Sequence, residues 1–179
     1  MNTKHQASAH SIGPRNGIRN NGNSVMCVNH LSLDIGFFDL LAGSYLRLIG
    51  TPLVPDDQGS GSPARWLYEQ APHCVLAHNT DPDPRFVYGN RAAQNCFEYT
   101  WEELTSLPSR LSAEAPNREE RQRLLETVSR KGVAFGYKGV RVSKSGRRFW
   151  IEGGTVWQLL GEDGVIYGQA AMFAKWHYV

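Results

Sequence analysis

The chain has 179 residues, 41% hydrophobic and 20% charged, enough for one packed domain with additional segments. Its net charge of +2 is almost balanced, and no basic stripe interleaved with aromatics stands out, so nucleic acid is not an expected direct partner. Three widely spaced cysteines (Cys27, Cys74 and Cys96) speak against a disulfide framework or a zinc site and for a reducing, cytoplasmic setting, while no apolar run is long enough to span a membrane.

Residues 1–25 are rich in Asn, Gly, Ser and His and poor in apolar side chains, so they are expected to be disordered, with Met26 as a candidate start of translation. This stretch lacks the apolar core of a secretory signal and forms no amphipathic helix of the kind an organelle transit peptide needs. Over 32–49, Leu33, Phe37, Leu40, Leu41, Tyr45 and Leu48 recur at helical spacing, and Gly50 and Pro52 supply the stop. A loop over 55–61 follows, and Ser62-Pro63 opens a short helix through Trp66, Leu67 and Gln70.

Residues 74–78 and 86–88 read as strands around the turn Asp81-Pro82-Asp83-Pro84. Asn90 is placed to cap a helix holding Ala92, Ala93, Cys96 and Phe97, and Thr100-Trp101-Glu102-Glu103 is a capping box. Residues 107–115 are irregular. A second capping box, Asn117 to Glu120, is expected to open a longer helix closed at Gly132. Strands over 133–143, 147–160 and 165–176 are joined by hairpin turns at Ser145-Gly146 and Asp163-Gly164 and read as a meander. Both parities of these strands are apolar: Phe149, Ile151 and Trp157 on one, Trp150 and Val156 on the other. Such a sheet needs a cover on each face, the second being the helix of 32–49 or another subunit.

The order of elements, with Phe86 to Ala93, then Tyr99 to Leu104, then Ser145 to Ile151, resembles a PAS domain. The runs His78 to Pro84, Leu107 to Glu114, Asn117 to Arg121 and Gly168 to Phe173 resemble the MEKHLA domain in particular. That family occurs as small bacterial proteins and as the C-terminal domain of plant homeodomain–leucine zipper factors. The resemblance implies an α+β fold with a PAS-like five-stranded antiparallel sheet, helices on one face and an N-terminal helical extension. The expected division is a disordered segment over 1–31, the helical extension over 32–71 and the MEKHLA domain over 72–179.

No cofactor is expected. Asn95-Cys96-Phe97 is superficially like a flavin-attaching motif but lies on the wrong helix, where its spacing suits a core thiol, and residues 117–131 hold no histidine for haem. His73 and His78, near the first strand, read as surface or satisfied histidines. The candidate ligand-binding residues are Arg110, Glu114, Trp150 and Gln169. Arg110 and Glu114 stand four apart in the segment that walls a PAS pocket, and are placed to pair on one turn. Trp150 and Gln169 lie on the closing strands, where inward orientation gives an aromatic wall and an orienting amide. The bland reading is that the pair only pins its loop and Gln169 faces solvent.

The function expected is a non-catalytic, regulatory module that binds a small molecule, a partner protein or a second copy of itself. Two alternatives stand beside it: a small enzyme using the α+β cavity with an acid such as Glu114 as general base, and a ligand-free interaction scaffold.

Overall fold

The computed structural model describes residues 31–57 and 61–179, apart from the side chains of 115–117. The expected disorder before residue 31, Met26, Cys27 and residues 58–60 of the loop therefore lie outside the described residues.

Helix α1 (Ile35–Ile49) starts where the Asp34 carboxylate accepts from the Phe37 N–H, and ends at Gly50, whose φ of 84° gives the left-handed cap. Helix α2 (Pro63–Glu69) has proline in its first turn. Strands β1 (Cys74–His78) and β2 (Phe86–Gly89) pair antiparallel. Helix α3 (Arg91–Phe97) is capped by Asn90, and α4 (Trp101–Ser106) carries the expected capping box. A 3-10 turn over Ser109–Ser112 leads into α5 (Ala115–Lys131). This helix begins two residues before the capping box expected at Asn117, because Pro116 suits a first helical turn better than it breaks one. Strands β3 (Val133–Val142), β4 (Arg148–Leu160), β5 (Ile166–Phe173) and β6 (Lys175–Tyr178) finish the chain.

The sheet runs β2-β1-β5-β4-β3, all antiparallel, with β3, β4 and β5 as the expected meander. The last expected strand is broken after Phe173. Its first part pairs with β4 from Thr155 to Leu160, and β6 pairs with Phe149 to Glu152.

The break lies beside a bulge. On β4, Glu152 and Gly153 stand opposite the single residue Lys138 of β3, and Gly153 has a φ of 68°. The extra residue reverses which parity faces which side. Phe149 and Ile151 pack with Phe97, Leu104 and Phe173, whereas Trp157 and Leu159 pack with Phe37, Leu41 and Tyr45 of α1. The expected grouping of Phe149, Ile151 and Trp157 on one face is therefore corrected.

Both faces of the sheet are covered. Helices α3 and α5 lie on the inner face and α1 on the outer one. Leu41 is completely buried there, Tyr45 meets Trp157 edge to face at 4.9 Å, and Trp157 Nε1–H donates to Ser44 Oγ at 3.2 Å. Asn90, also inaccessible, ties three elements together. Its Oδ1 accepts from Ala93 N–H and Val75 N–H, and its amide nitrogen donates to the carbonyls of Leu67 and His73.

Candidate functional site

Between the inner face of the sheet and α5 lies a cavity of about 70 Å³. At roughly 10–15 Å³ per water it holds about five waters or one small molecule. Leu76, Phe97, Ile151 and Phe173 give it apolar walls, and its polar lining includes His78, Arg121, Tyr137, Arg141 and Gln169, with the hydroxyls of Ser112 and Thr155.

Alternation along the strands puts these groups there. On β1, Cys74 and Leu76 join the inner cluster, so His78 shares their face. Its cross-strand partner on β5 is Gln169, which shares a face with Ala171 and Phe173. On β3, Tyr137 and Arg141 fall on the same parity, and the Arg141 guanidinium lies 5.0 Å from the centre of the Tyr137 ring. Arg121 reaches in from α5 and donates to Ser109 Oγ at 2.8 Å.

Two acceptors on residues that line this cavity have no partner. His78 Nδ1 lies 2.8 Å from the Asn79 carbonyl oxygen, which only accepts, so Nδ1 carries the proton and Nε2 presents a lone pair. That Nε2 is buried and unbonded. Gln169 donates its amide N–H groups to Leu125 O and Ser129 Oγ on α5, which fixes the amide orientation and leaves Oε1 buried without a donor. The expectation of a surface or satisfied histidine at 78 is thus corrected: inward parity at the end of β1 buries it. Gln169 does not face solvent either.

Electrostatics sharpen the contrast. Burial above all, and then the nearby Arg121 cation, push the His78 imidazole down to about 4, against the Asn79 hydrogen bond, so it is neutral at pH 7. Burial also pulls Arg121 down to about 10 with help from Arg141, and lowers Arg141, which Tyr137 and Glu120 partly restore. A guanidinium keeps its proton in proteins, so both are cations at neutral pH. The Tyr137 phenol is raised by burial and stays protonated.

The other expected site residues lie elsewhere. Arg110 and Glu114 do not pair with each other. The 3-10 turn ends at Ala113, which is extended (φ −133°, ψ 145°), so a spacing of four no longer places the two side chains together. Arg110 pairs with Asp83 at 2.9 Å and Glu114 with Arg148 at 2.9 Å, both in solvent-accessible positions. Trp150 lies between Phe149 and Ile151, which face the helices, so it points to the opposite face and is half-buried. Of the four candidates only Gln169 lines the cavity.

Sequence reasoning passed over His78, Arg121 and Arg141 as site residues. Arg121 is one of several charged residues in its run, and no pattern singles it out. Arg141 did carry a signal: an arginine between Val140 and Val142, on the parity of Tyr137, is a cation facing inward. Cys96 is buried in the core as its spacing implied, and its thiol pKa is raised by the hydrogen bond to Cys74 and by burial. Among the described residues no three acids, histidines or cysteines cluster to hold a metal, and no helix is long and apolar enough to cross a membrane.

The MEKHLA domain model matches residues 35–178, which takes in α1 and α2 as well as the sheet. Homeobox-leucine zipper protein ATHB-14 of Arabidopsis thaliana is 27% identical over 143 residues, covering 78% of this chain. The chain spans only 17% of that relative's length. Among solved structures, the PAS domain of a protein from Colwellia psychrerythraea is similar, with a TM-score of 0.54, 14% identity, and coverage of 65% of this chain and 92% of that one. An RNA-binding light-oxygen-voltage receptor also has a TM-score of 0.54, at 18% identity over 68% of this chain and 34% of its own. At such identities the likeness concerns the fold alone. Taken with the sheet order and the covering helices, the match over 35–178 establishes that the chain belongs to the MEKHLA domain family, with a PAS-like α+β fold.

Proposed function

We propose that the chain is a PAS-like sensory module that binds a small molecule in the cavity beneath α5 and passes its occupancy on to a partner protein or a second copy, without catalysing a reaction. The observation that carries this reading is the pair of buried, unpartnered acceptors, His78 Nε2 and Gln169 Oε1, in one cavity. A buried acceptor without a donor costs about 1–3 kcal/mol, which an occupant with an N–H or O–H group recovers. A ligand-free scaffold gives no reason for the two to share a cavity.

Gln169 also supplies a route outward. Its amide nitrogen is bonded to α5, its oxygen has no donor and the residue lines the cavity, so an occupant that draws on Oε1 would act on the helix that carries Leu125 and Ser129. Glu114 gives the rival enzyme no support as its base, because the carboxylate is taken by Arg148 and lies off the cavity. A cytoplasmic setting agrees with two buried cysteines, Cys74 and Cys96, that remain free thiols.

Native mass spectrometry of the purified chain tests the reading, since it reports bound ligand and oligomeric state together. The expected result is a small adduct released on activation, with slower hydrogen exchange of α5 amides when it is present. A bare chain mass, with α5 exchange unchanged by small-molecule extracts of the host cell, would sink the proposal.

A further inference from the structure

Two arginines line the same cavity with no anion to match them. Arg121 is 9% exposed and Arg141 7%, and both contribute to its wall. Among the described residues, none of the ion pairs formed by acidic side chains involves either arginine. The acid that acts on Arg141 at a distance is Glu120, exposed on α5. What the arginines do contact is neutral: Ser109 Oγ for Arg121, and the Val140 carbonyl and the Tyr137 ring for Arg141. A guanidinium has five N–H donors, so most of this donor capacity is not used by the protein. Buried charges in proteins are ordinarily paired. Two like charges sharing one small cavity make the imbalance worse, and each lowers its own stability in the absence of a counter-ion.

The structure assigns to this cavity a small organic acid that also carries a hydroxyl or amino group. Its carboxylate lies between Arg121 and Arg141, its hydrogen-bond donor meets His78 Nε2 and Gln169 Oε1, and its hydrocarbon part rests on the apolar wall. Every mismatch in the cavity is answered by this one chemistry: cations without an anion, acceptors without a donor, and apolar side chains around both. The apolar wall argues against an inorganic anion, which has no apolar part to set against Leu76, Phe97 and Ile151. The volume holds the acid to a small one. Arginine also suits the task, because its planar fork meets a carboxylate with two parallel hydrogen bonds.

This assignment rests on the reading of the cavity as a ligand site, and the test separates the two. Three probes of one size are compared by isothermal titration and by thermal shift: lactate, propionate, which lacks the hydroxyl, and 1,2-propanediol, which lacks the charge. Mandelate, phenylacetate and 1-phenyl-1,2-ethanediol repeat the comparison with a larger body. In each series the hydroxy acid is expected to bind tightest, the plain acid more weakly, and the diol least. Arg121→Gln and Arg141→Gln are each expected to weaken the hydroxy acid about ten- to a hundredfold, the loss of a charge-assisted hydrogen bond. Arg141→Lys, which keeps the charge in case the Gln variant folds poorly, is expected to weaken it less. His78→Phe is expected to narrow the gap between hydroxy acid and plain acid while leaving the plain acid's affinity in place. Diols binding as well as the acids, or acids binding unchanged in both Gln variants, would overturn the assignment while leaving a ligand cavity standing. No binding by any probe, together with a bare mass by native spectrometry, would overturn both.

Discussion

His78 is a residue whose placement has a measurable price in stability. Its imidazole titrates near 6.5 in the unfolded chain and near 4 in the fold, burial being the main cause and Arg121 a further one. Above pH 6.5 neither state is protonated and the group is silent. Between about 6.5 and about 4 the unfolded chain takes the proton while the fold refuses it, so stability falls as pH falls. Below that window the loss is complete. At about 1.36 kcal/mol per pH unit the loss reaches roughly 2 kcal/mol by about pH 5. His78→Gln is expected to flatten this slope in urea melts taken across the window, leaving the smaller share due to His73, which burial also lowers. An unchanged slope in the variant would locate the dependence elsewhere. Asn90 belongs to the same scale but has the opposite character, since all its hydrogen-bonding groups are satisfied. Asn90→Ala removes a helix cap, worth about 1 kcal/mol, and strands buried groups at about 1–3 kcal/mol each. A loss of at least about 3 kcal/mol is expected in equilibrium unfolding, and Asn90→Asp is expected to restore little, because it keeps the cap but not the two donated bonds.

The elements were legible where local chemistry fixes them. Helix α1 was marked by its apolar stripe and Gly50, α4 by its capping box, and the meander by Ser145-Gly146 and Asp163-Gly164. What escaped was the relation between elements. The glycine pair 153–154 inside a strand does mark a bulge or close packing, but does not reveal that the bulge at Gly153 reverses the facing of β4 halfway along. The site suffered for the same reason. Gln169 could be found by parity on an unbroken stretch of strand, but the partners of Arg110 and Glu114 depended on a 3-10 turn that spacing did not reveal. Gly153, with φ at 68°, is where the bulge can be tested. A Cβ there meets no neighbouring atom, so Gly153→Ala isolates the backbone effect from any clash. A loss of about 1–2 kcal/mol is expected in denaturant melts, the usual penalty for an L-residue in the left-handed region. No loss would mean the bulge relaxes to a regular ladder. Gly168 poses a different problem: a Cβ would run into the carbonyl oxygen of His78, so substitution there separates β1 from β5 at the edge of the cavity.

At the scale of the whole molecule, the sheet is a layer between two unlike covers. Helix α5 roofs a cavity with polar groups in its wall, whereas α1 seals an apolar interface built from Phe37, Leu41, Tyr45, Trp157 and Leu159. The sequence left open whether α1 would dock on its own sheet or pair with a counterpart in another chain, and it docks on its own. This division makes a prediction about which cover the fold depends on. Leu41 is completely buried, so Leu41→Ala should cost about 2–5 kcal/mol, as deletions from packed cores do. Ser44→Ala should cost about 1 kcal/mol by unpairing Trp157 Nε1–H. Removing residues 1–50 altogether strips the outer face of Val75, Ala77, Trp157 and Leu159, all of which lie in the cluster with α1. The result is a contiguous apolar surface, and aggregation or a new dimer is expected in light scattering. The inner cavity is built without α1, so a truncated chain kept in solution by mild detergent should still bind any acid that the whole chain binds. Should the truncated protein instead stay in solution with the whole chain's oligomeric state and an unchanged melting temperature, α1 would be a passenger on a sheet that needs no second cover.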